Sequence, residues 1–331
     1  VPTTTATSFD APARERPRAI ALWLLAVAAL VFVMIVVGGI TRLTESGLSI
    51  VRWDPVSGIV PPLSAADWAA EYAAYRTSPQ GVLVNADMGL AAFKGIFFWE
   101  YLHRVIARIF VAALVLPMAV FAMARSIPRG FGRPLLVILA LGVLQPVAGW
   151  WMVASGLVDR PAVAHERLAV HLVLAFSILA VCVWTALDLL EARRERLARW
   201  TVPLLALLSV QIVWGAFTAG LRAGHASDTW PLMLGSLVPP LASLIDDPVS
   251  VQWFHRTLAW AVAAAVLAVA WQNRAAGCRA GLLAALVLLQ FTLGVLTVVY
   301  GVPVAVAATH QAGAALLLAA TLWLAHREAP R

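Results

Sequence analysis

Phe98-Trp99-Glu100-Tyr101-Leu102-His103-Arg104, running on to Arg108, places a carboxylate, an imidazole and two guanidinium groups within an apolar stretch long enough to cross a membrane. On a helix Glu100 and His103 share a face, because residues three apart have Cβ atoms about 5–6 Å from one another. Ionisable groups at such depth are costly and point to function by default. A second stretch, Gln252-Trp253-Phe254-His255-Arg256, repeats the pattern in the other half of the chain, with Gln252 where the first copy has Glu100.

Composition sets the environment. The chain has 331 residues, 62% hydrophobic and 12% charged, with a mean hydropathy of +0.85. A soluble domain carries about 45–50% apolar and about 25% charged residues, so this is a polytopic membrane protein. The net charge of +7 comes almost wholly from arginine, Lys94 being the only lysine. In a soluble protein that balance would suggest nucleic acid. Here the arginines cluster in short connections, so orientation in a bilayer accounts for them and no nucleic-acid partner is expected. Cys182 and Cys278 lie in different segments and offer neither metal-ligand spacing nor a disulfide framework.

Eight apolar runs fit spans of about 20 residues: 19–40, 96–122, 134–154, 167–188, 200–220, 251–272, 280–300 and 304–325. The first exceeds a signal-peptide core of about 7–15 residues and reads as a retained helix. Arg14, Arg16 and Arg18 precede it. Arg125, Arg129 and Arg133, then Arg193, Arg194, Arg196 and Arg199, then Arg274 and Arg279, and finally Arg327 and Arg331 fall on the same side. The positive-inside rule puts both termini in the cytoplasm, with tails at 1–18 and 327–331. Two outward loops are long, 43–94 and 221–250, as lids often are. In the first, Ser64 and Asp67 mark a helix start. Trp68, Tyr72 and Tyr75 follow at helical spacing, suiting a segment that lies on the membrane surface.

The halves repeat. Gly38-Gly39-Ile40-Thr41 echoes Gly215-Ala216-Phe217-Thr218, His103 pairs with His255, Gln145 with Gln290, and His171 with His310. Each copy holds four spans, an even number, so both face the same way. The expected fold is an all-α integral membrane protein of eight transmembrane helices. They form two tandem four-helix bundles, residues 19–190 and 191–326, related by a pseudo-two-fold axis along the membrane normal.

His103, His171, His255 and His310 sit on spans two, four, six and eight, each just inside the outward end. Inward-facing histidines on two helices of a four-helix unit make a bis-imidazole haem site. The plainer reading is that each histidine hydrogen-bonds a neighbouring helix; two matched pairs in a repeat favour the haem. A binuclear metal site would lack carboxylates, since only Glu100 lies in the interior of the spans. His165, His225 and His326 read as surface or loop residues. Arg104 and Arg256 are charge partners for haem propionates or cations reaching toward headgroups. Arg108 is a further candidate charge partner, with Trp260 as its counterpart. Gln145 and Gln290, near glycines, read as helix-packing residues. The asymmetry of Glu100 and Arg108 against Gln252 and Trp260 assigns chemistry to the first copy and electron transfer to the second. A buried carboxylate at a haem edge can accept or relay protons; Gln252 cannot titrate.

These residues resemble the haem A synthase family, in its proteobacterial and mitochondrial branch. The likeness runs from Gly38 to His310. Its motifs are Gly38 through Ser49; Phe93-Lys94 leading into Glu100 and His103-Arg104; Arg167 to His171-Leu172; His225-Ala226-Ser227-Asp228-Thr229-Trp230-Pro231-Leu232-Met233; and Gln252 to Arg256. The other branch has paired cysteines in outward loops, which this chain lacks. The resemblance implies oxidation of a ring methyl of haem O to the formyl group of haem A by two hydroxylations, for terminal oxidase biogenesis. It implies that His103 and His171 hold the substrate haem, that Glu100 is the catalytic carboxylate, and that His255 and His310 hold a permanent haem b. The implied setting is the bacterial inner membrane. The implied partners are a haem O synthase, an electron donor such as membrane quinol, and the cytochrome oxidase assembly machinery; a homo-oligomer is compatible. The alternatives are a dihaem b-type electron-transfer protein that modifies no haem, and a transporter, which would bind no pigment.

Overall fold

Proline, serine and aspartate at the helix starts, and long apolar runs between them, dictate the elements. The computed structural model describes residues 15–52, 57–158, 160–191 and 199–327. Arg14, Arg193, Arg194, Arg196 and Arg331, which entered the orientation reading, lie outside the described residues. The spanning helices are α1 (Pro17–Leu43), α4 (Leu90–Met123), α5 (Gly132–Ala154), α6 (His165–Leu190), α7 (Thr201–Gly220), α8 (Pro248–Gln272), α9 (Cys278–Val299) and α10 (Val304–Arg327), with α2 (Ala65–Arg76) and α3 (Pro79–Leu83) in the first outward loop. Among the described residues, eight helices are long and apolar enough to cross a membrane, and they match the eight expected spans. Pro17, Pro79 and Pro248 stand in first turns, where the missing N–H costs nothing. Asp247 caps α8 by accepting from Ser250 N–H at 2.8 Å and Ser250 Oγ at 2.7 Å, and these donors hold its carboxyl below the usual range.

The packing follows the internal repeat. In the first half α1 lies against α4 and α6, and α5 against α6; in the second α7 lies against α8, α8 against α9, and α9 against α10. The halves meet through α1 with α10, α6 with α7, and α6 with α10. Exchanging each helix for its repeat partner turns the first of these contacts into the second and the third into itself, as a two-fold relation requires. One apolar core joins Ile20, Leu24, Val31 and Ile35 of α1 to Ile178, Leu179 and Cys182 of α6, and reaches Leu318 and Leu322 of α10. A second gathers Leu204, Leu208, Val266, Leu283 and Leu324.

Two expectations are corrected here. The loop helix α2 begins at a complete capping box: Ser64 Oγ accepts from Asp67 N–H at 3.1 Å and Asp67 Oδ2 from Ser64 N–H at 2.9 Å, which keeps the Asp67 carboxyl below its ordinary range. Its aromatic face, however, packs against protein. Trp68 meets Phe97 at 5.1 Å between ring centroids, and Tyr72 and Tyr75 meet Phe93 at 5.3 and 5.1 Å. Helix α4 starts at Leu90, extending outward beyond the expected span, and gives that face a protein partner.

His326 is the second correction. It is fully buried rather than a surface residue, because α6 brings Asp188 to within 3.1 Å of its Nε2 across the contact between halves. The Trp184 ring packs edge-on at 5.0 Å. Arg279 joins the group through Glu191 at 3.6 Å and the Trp323 carbonyl at 3.0 Å. Replacing His326 with Ala leaves the buried Asp188 without its donor, which costs about 1–3 kcal/mol. We expect thermal unfolding of the detergent-solubilised protein at a lower temperature for His326→Ala, with His326→Gln, which keeps a donor, nearer to wild type.

Candidate functional site

Each of the four repeat histidines lies against a glycine of the neighbouring helix. A Cβ on Gly38 would stand 3.4 Å from His103 Nε2. A Cβ on Gly149, Gly215 or Gly294 would stand 2.9, 3.1 or 3.0 Å from Cε1 of His171, His255 or His310. At Gly149, Gly215 and Gly294 the rings occupy the volume that side chains would fill, so close approach of backbone to imidazole favours glycine there; at Gly38 the contact is an ordinary one.

His103 of α4 and His171 of α6 line one cavity of about 510 Å³. His255 of α8 and His310 of α10 line a second of about 290 Å³. Small-ligand pockets span about 300–1,000 Å³. One ring is held from behind by the backbone: His310 Nδ1 sits 3.1 Å from the Gln290 carbonyl oxygen. Engaging Nδ1 in this way fixes that ring and leaves its Nε2 as the atom able to ligate. Nδ1 of His171 and of His255 is buried without a hydrogen-bond partner. The Gln145 amide donates to the His171 carbonyl at 3.1 Å and the Gln211 amide to that of His255 at 3.2 Å. The glutamines therefore brace the histidine-bearing helices, as the packing reading of Gln145 anticipated.

Glu100 is 3% exposed and lines the first cavity. Its charge is fully engaged. Oε1 accepts from Arg104 Nη2 at 2.7 Å and Nε at 3.1 Å; Oε2 accepts from Ser49 Oγ at 2.7 Å and the Ile50 N–H at 2.8 Å. Arg104 also donates to the carbonyls of Ile50 and Arg52 at 2.9 and 3.2 Å. Pair and loop form one clasp, so Arg104 serves Glu100 and the loop as well as the cavity wall.

The turn that delivers Ser49 is built by the end of α1. Thr44 and Ser46 hydroxyls meet at 2.7 Å, Ser46 N–H returns to the Thr41 carbonyl at 2.9 Å, and Glu45 takes a left-handed φ of 56°. Gln80 then donates to the Glu45 carbonyl at 3.0 Å, tying in the lid segment around α3.

In the second half the same clasp runs with reversed polarity. The Gln252 amide donates to the carbonyls of Ser227 at 2.9 Å and Gly224 at 3.2 Å. Arg256 donates to the Thr229 carbonyl at 2.8 Å, while its Nη1 is buried with no partner. Trp260, opposite Arg108 in the repeat, stacks on Trp230 at 6.0 Å and meets Phe291 edge-on at 4.6 Å. Arg108 itself lines the first cavity.

The remaining histidines separate. His165 lines neither cavity; it stands 3.6 Å from Asp246 and from Glu166, with its ring edge-on to Phe217. His225, read as a loop residue, does sit in a loop turn, and that turn lines the second cavity. The sequence reading passed over Ser49, Gln211, Arg42 and Arg222. Ser49 belongs to a quoted motif but carries no charge to draw notice. Gln211 has Met34 as its repeat counterpart, so the duplication gave no signal for it. The two arginines stand where bilayer anchors are common.

The donor set fits a porphyrin-bound iron in each cavity: two imidazoles from facing helices, and buried guanidinium nitrogens of Arg256 and Arg42 without acceptors. Adding a side chain behind one ring tests the pairing. Gly149→Val is expected to strip most haem from the first cavity and Gly294→Val from the second, read by pigment extraction and the visible spectrum of each purified variant.

Comparison with known proteins adds an independent line. Residues 21–322 match the family model COX15-CtaA, described as cytochrome oxidase assembly protein. A protein of Rhizorhabdus wittichii named heme A synthase is 50% identical over 327 residues, covering 94% of both chains. One of the same name from Sphingopyxis alaskensis is 45% identical, covering 94% of this chain and 92% of its own. Another, from Parvibaculum lavamentivorans, is 43% identical, covering 93% and 94%.

Proposed function

The chain belongs to the COX15-CtaA family of cytochrome oxidase assembly proteins, and from that membership we infer that it is a multi-pass membrane enzyme that makes haem A. Its relatives across nearly its whole length bear the name heme A synthase, and no observation favours a dihaem carrier that leaves its haems unchanged. The finer reading is ours: haem O is the substrate, and one ring methyl is oxidised to a formyl group by two successive hydroxylations. The observation that carries it is the pairing of histidines from α4 and α6, and from α8 and α10, in the walls of two separate cavities.

On this reading the first half, residues 19–190, takes haem O between His103 and His171. The second, residues 191–326, keeps haem b between His255 and His310. That haem, when bound, supplies one-electron transfer. The difference between Glu100 and Gln252 supports the division, because at this position of the repeat only the first cavity has a group able to exchange a proton. Of the partners of Glu100, the Ser49 hydroxyl alone can turn from donor to acceptor. A proton arriving at Oε2 is therefore accommodated by rotation of that hydroxyl, while Arg104 holds Oε1 in place. The loop segment around Ser49 and α3 covers this end of the cavity and keeps water from the reacting edge. Arg125, Arg129, Arg133, Arg274 and Arg279 lie in the connections expected on one side, which supports cytoplasmic termini and placement in the bacterial inner membrane. An electron donor such as membrane quinol, supply from a haem O synthase and delivery to the oxidase assembly machinery complete the proposal.

Glu100→Gln copies the second repeat and keeps the volume. It is expected to retain haem while lowering haem A formation by about 10²–10⁴-fold, the usual worth of a positioned acid or base; pigment analysis beside wild type reads both quantities, and undiminished turnover would remove Glu100 from the mechanism. His255→Ala and His310→Ala are expected to lose most of the haem b yet keep the pigment of the first cavity. Equal loss of both pigments would argue against two separable sites.

A further inference from the structure

The two cavities share a wall. Gly39, Arg42, Glu45, Ala219, Arg222 and Gln311 line both of them. Three of these are charged, and they gather where the last turn of α1 meets the end of α7. Arg222 Nη2 lies 2.6 Å from Glu45 Oε2, so those two charges cancel. Arg42 Nη2 donates to the Gly220 carbonyl at 2.9 Å, a neutral acceptor, and its Nε is buried with no hydrogen-bond partner. With two arginines to one carboxylate the cluster keeps one net positive charge, no further carboxylate lines this shared wall among the described residues, and a partly buried guanidinium in that condition calls for an anion. Arg222 holds its place in a left-handed conformation, φ 54°, which the pair with Glu45 and the packing of the α7 terminus sustain.

Arg104 is engaged with Glu100 and the first loop, and Arg256 with the second loop. The repeat-related arginines thus spend much of their donor capacity on the clasps, whereas the free donor between the cavities belongs to Arg42. The repeat does not duplicate it, since the residue at the matching place after Thr218 is Ala219.

We propose that Arg42, positioned by the Glu45–Arg222 pair, is a single carboxylate-binding rim shared by both cavities, which takes a propionate from the macrocycle in each and couples the two sites electrostatically. This rests on the haem reading of the cavities. Its charge lies between the ligands, so it raises the reduction potential of both.

The test compares iron protoporphyrin IX with its dimethyl ester, which lacks the carboxylates, as ligands of protein produced under haem limitation. Binding is followed by the Soret band, with His171→Ala and His255→Ala used to assign each phase to its cavity. The diacid is expected to bind roughly tenfold or more tightly than the diester in both phases, a difference of about 1.4 kcal/mol or more. Arg42→Gln should erase that preference in both cavities at once, and Arg42→Lys should retain much of it. In potentiometric titration of the protein as purified with its haem, Arg42→Gln should move every resolved haem potential downward. Equal affinity of diacid and diester in the wild type overturns the rim without needing any variant, as does an effect of Arg42→Gln confined to one cavity. Failure of both ligands to give a bound Soret band in the wild type would instead overturn the haem reading beneath it.

Discussion

Close contact between imidazole and bare backbone is the constraint on which the rest depends. A histidine on one helix can face a cavity only if the neighbouring helix yields the volume behind its ring. At Gly149, Gly215 and Gly294 that volume is provided by the missing Cβ. The helices therefore pack closely at the level of the histidines while a void remains between the two rings of each pair. The backbone carbonyl of Gln290 then sits where it holds Nδ1 of His310, and the side-chain amides of Gln145 and Gln211 tie the His171 and His255 carbonyls to the neighbouring helices. Small residues in helix seams ordinarily bring helices together; here they also seat the side chains that carry the chemistry.

Above the histidines each half is closed by a loop clasped to a polar residue one turn up the helix. The clasps have opposite polarity, and this separates the halves chemically. Glu100 accepts from a loop that presents a hydroxyl and an N–H; Gln252 donates to a loop that presents carbonyls. A carboxylate at position 252 would meet two carbonyl oxygens and be repelled, so the difference between copies is written into loop conformation as well as into one side chain. A duplicated fold thereby holds a carboxyl group at one clasp and an amide at the other, on matching helices.

The halves are not independent modules in their packing. Helix α1 carries the apolar core of the first half and touches α10, and Gln311 of α10 donates to the Ile35 carbonyl at 2.7 Å. At the far end, Asp188 and His326 join α6 to α10 in a buried polar pair. Burying such groups is unfavourable unless they are matched, and the matching partner comes from the other half each time, which fixes how the halves seat against each other.

The amino-acid sequence by itself determined the eight spans, the duplication, the four repeat histidines and the exceptional position of Glu100. All of these follow from local rules: the length of an apolar run, the helical spacing of polar residues, and the recurrence of a pattern at a distance. What tertiary structure decided is everything that depends on a partner remote in the chain. Trp68, Tyr72 and Tyr75 carry the periodicity of a surface helix, and only the outward extension of α4 turns that face inward. His326 stands in a last turn where solvent is the default, and only Asp188 from α6 buries it. Arg42 looks like an interfacial anchor until α7 places Arg222 and Gly220 beside it and a cavity on either side. Periodicity tells which residues share a face. It does not tell what that face will meet, because the answer is supplied by other segments, which for His326 and Arg42 lie more than a hundred residues away.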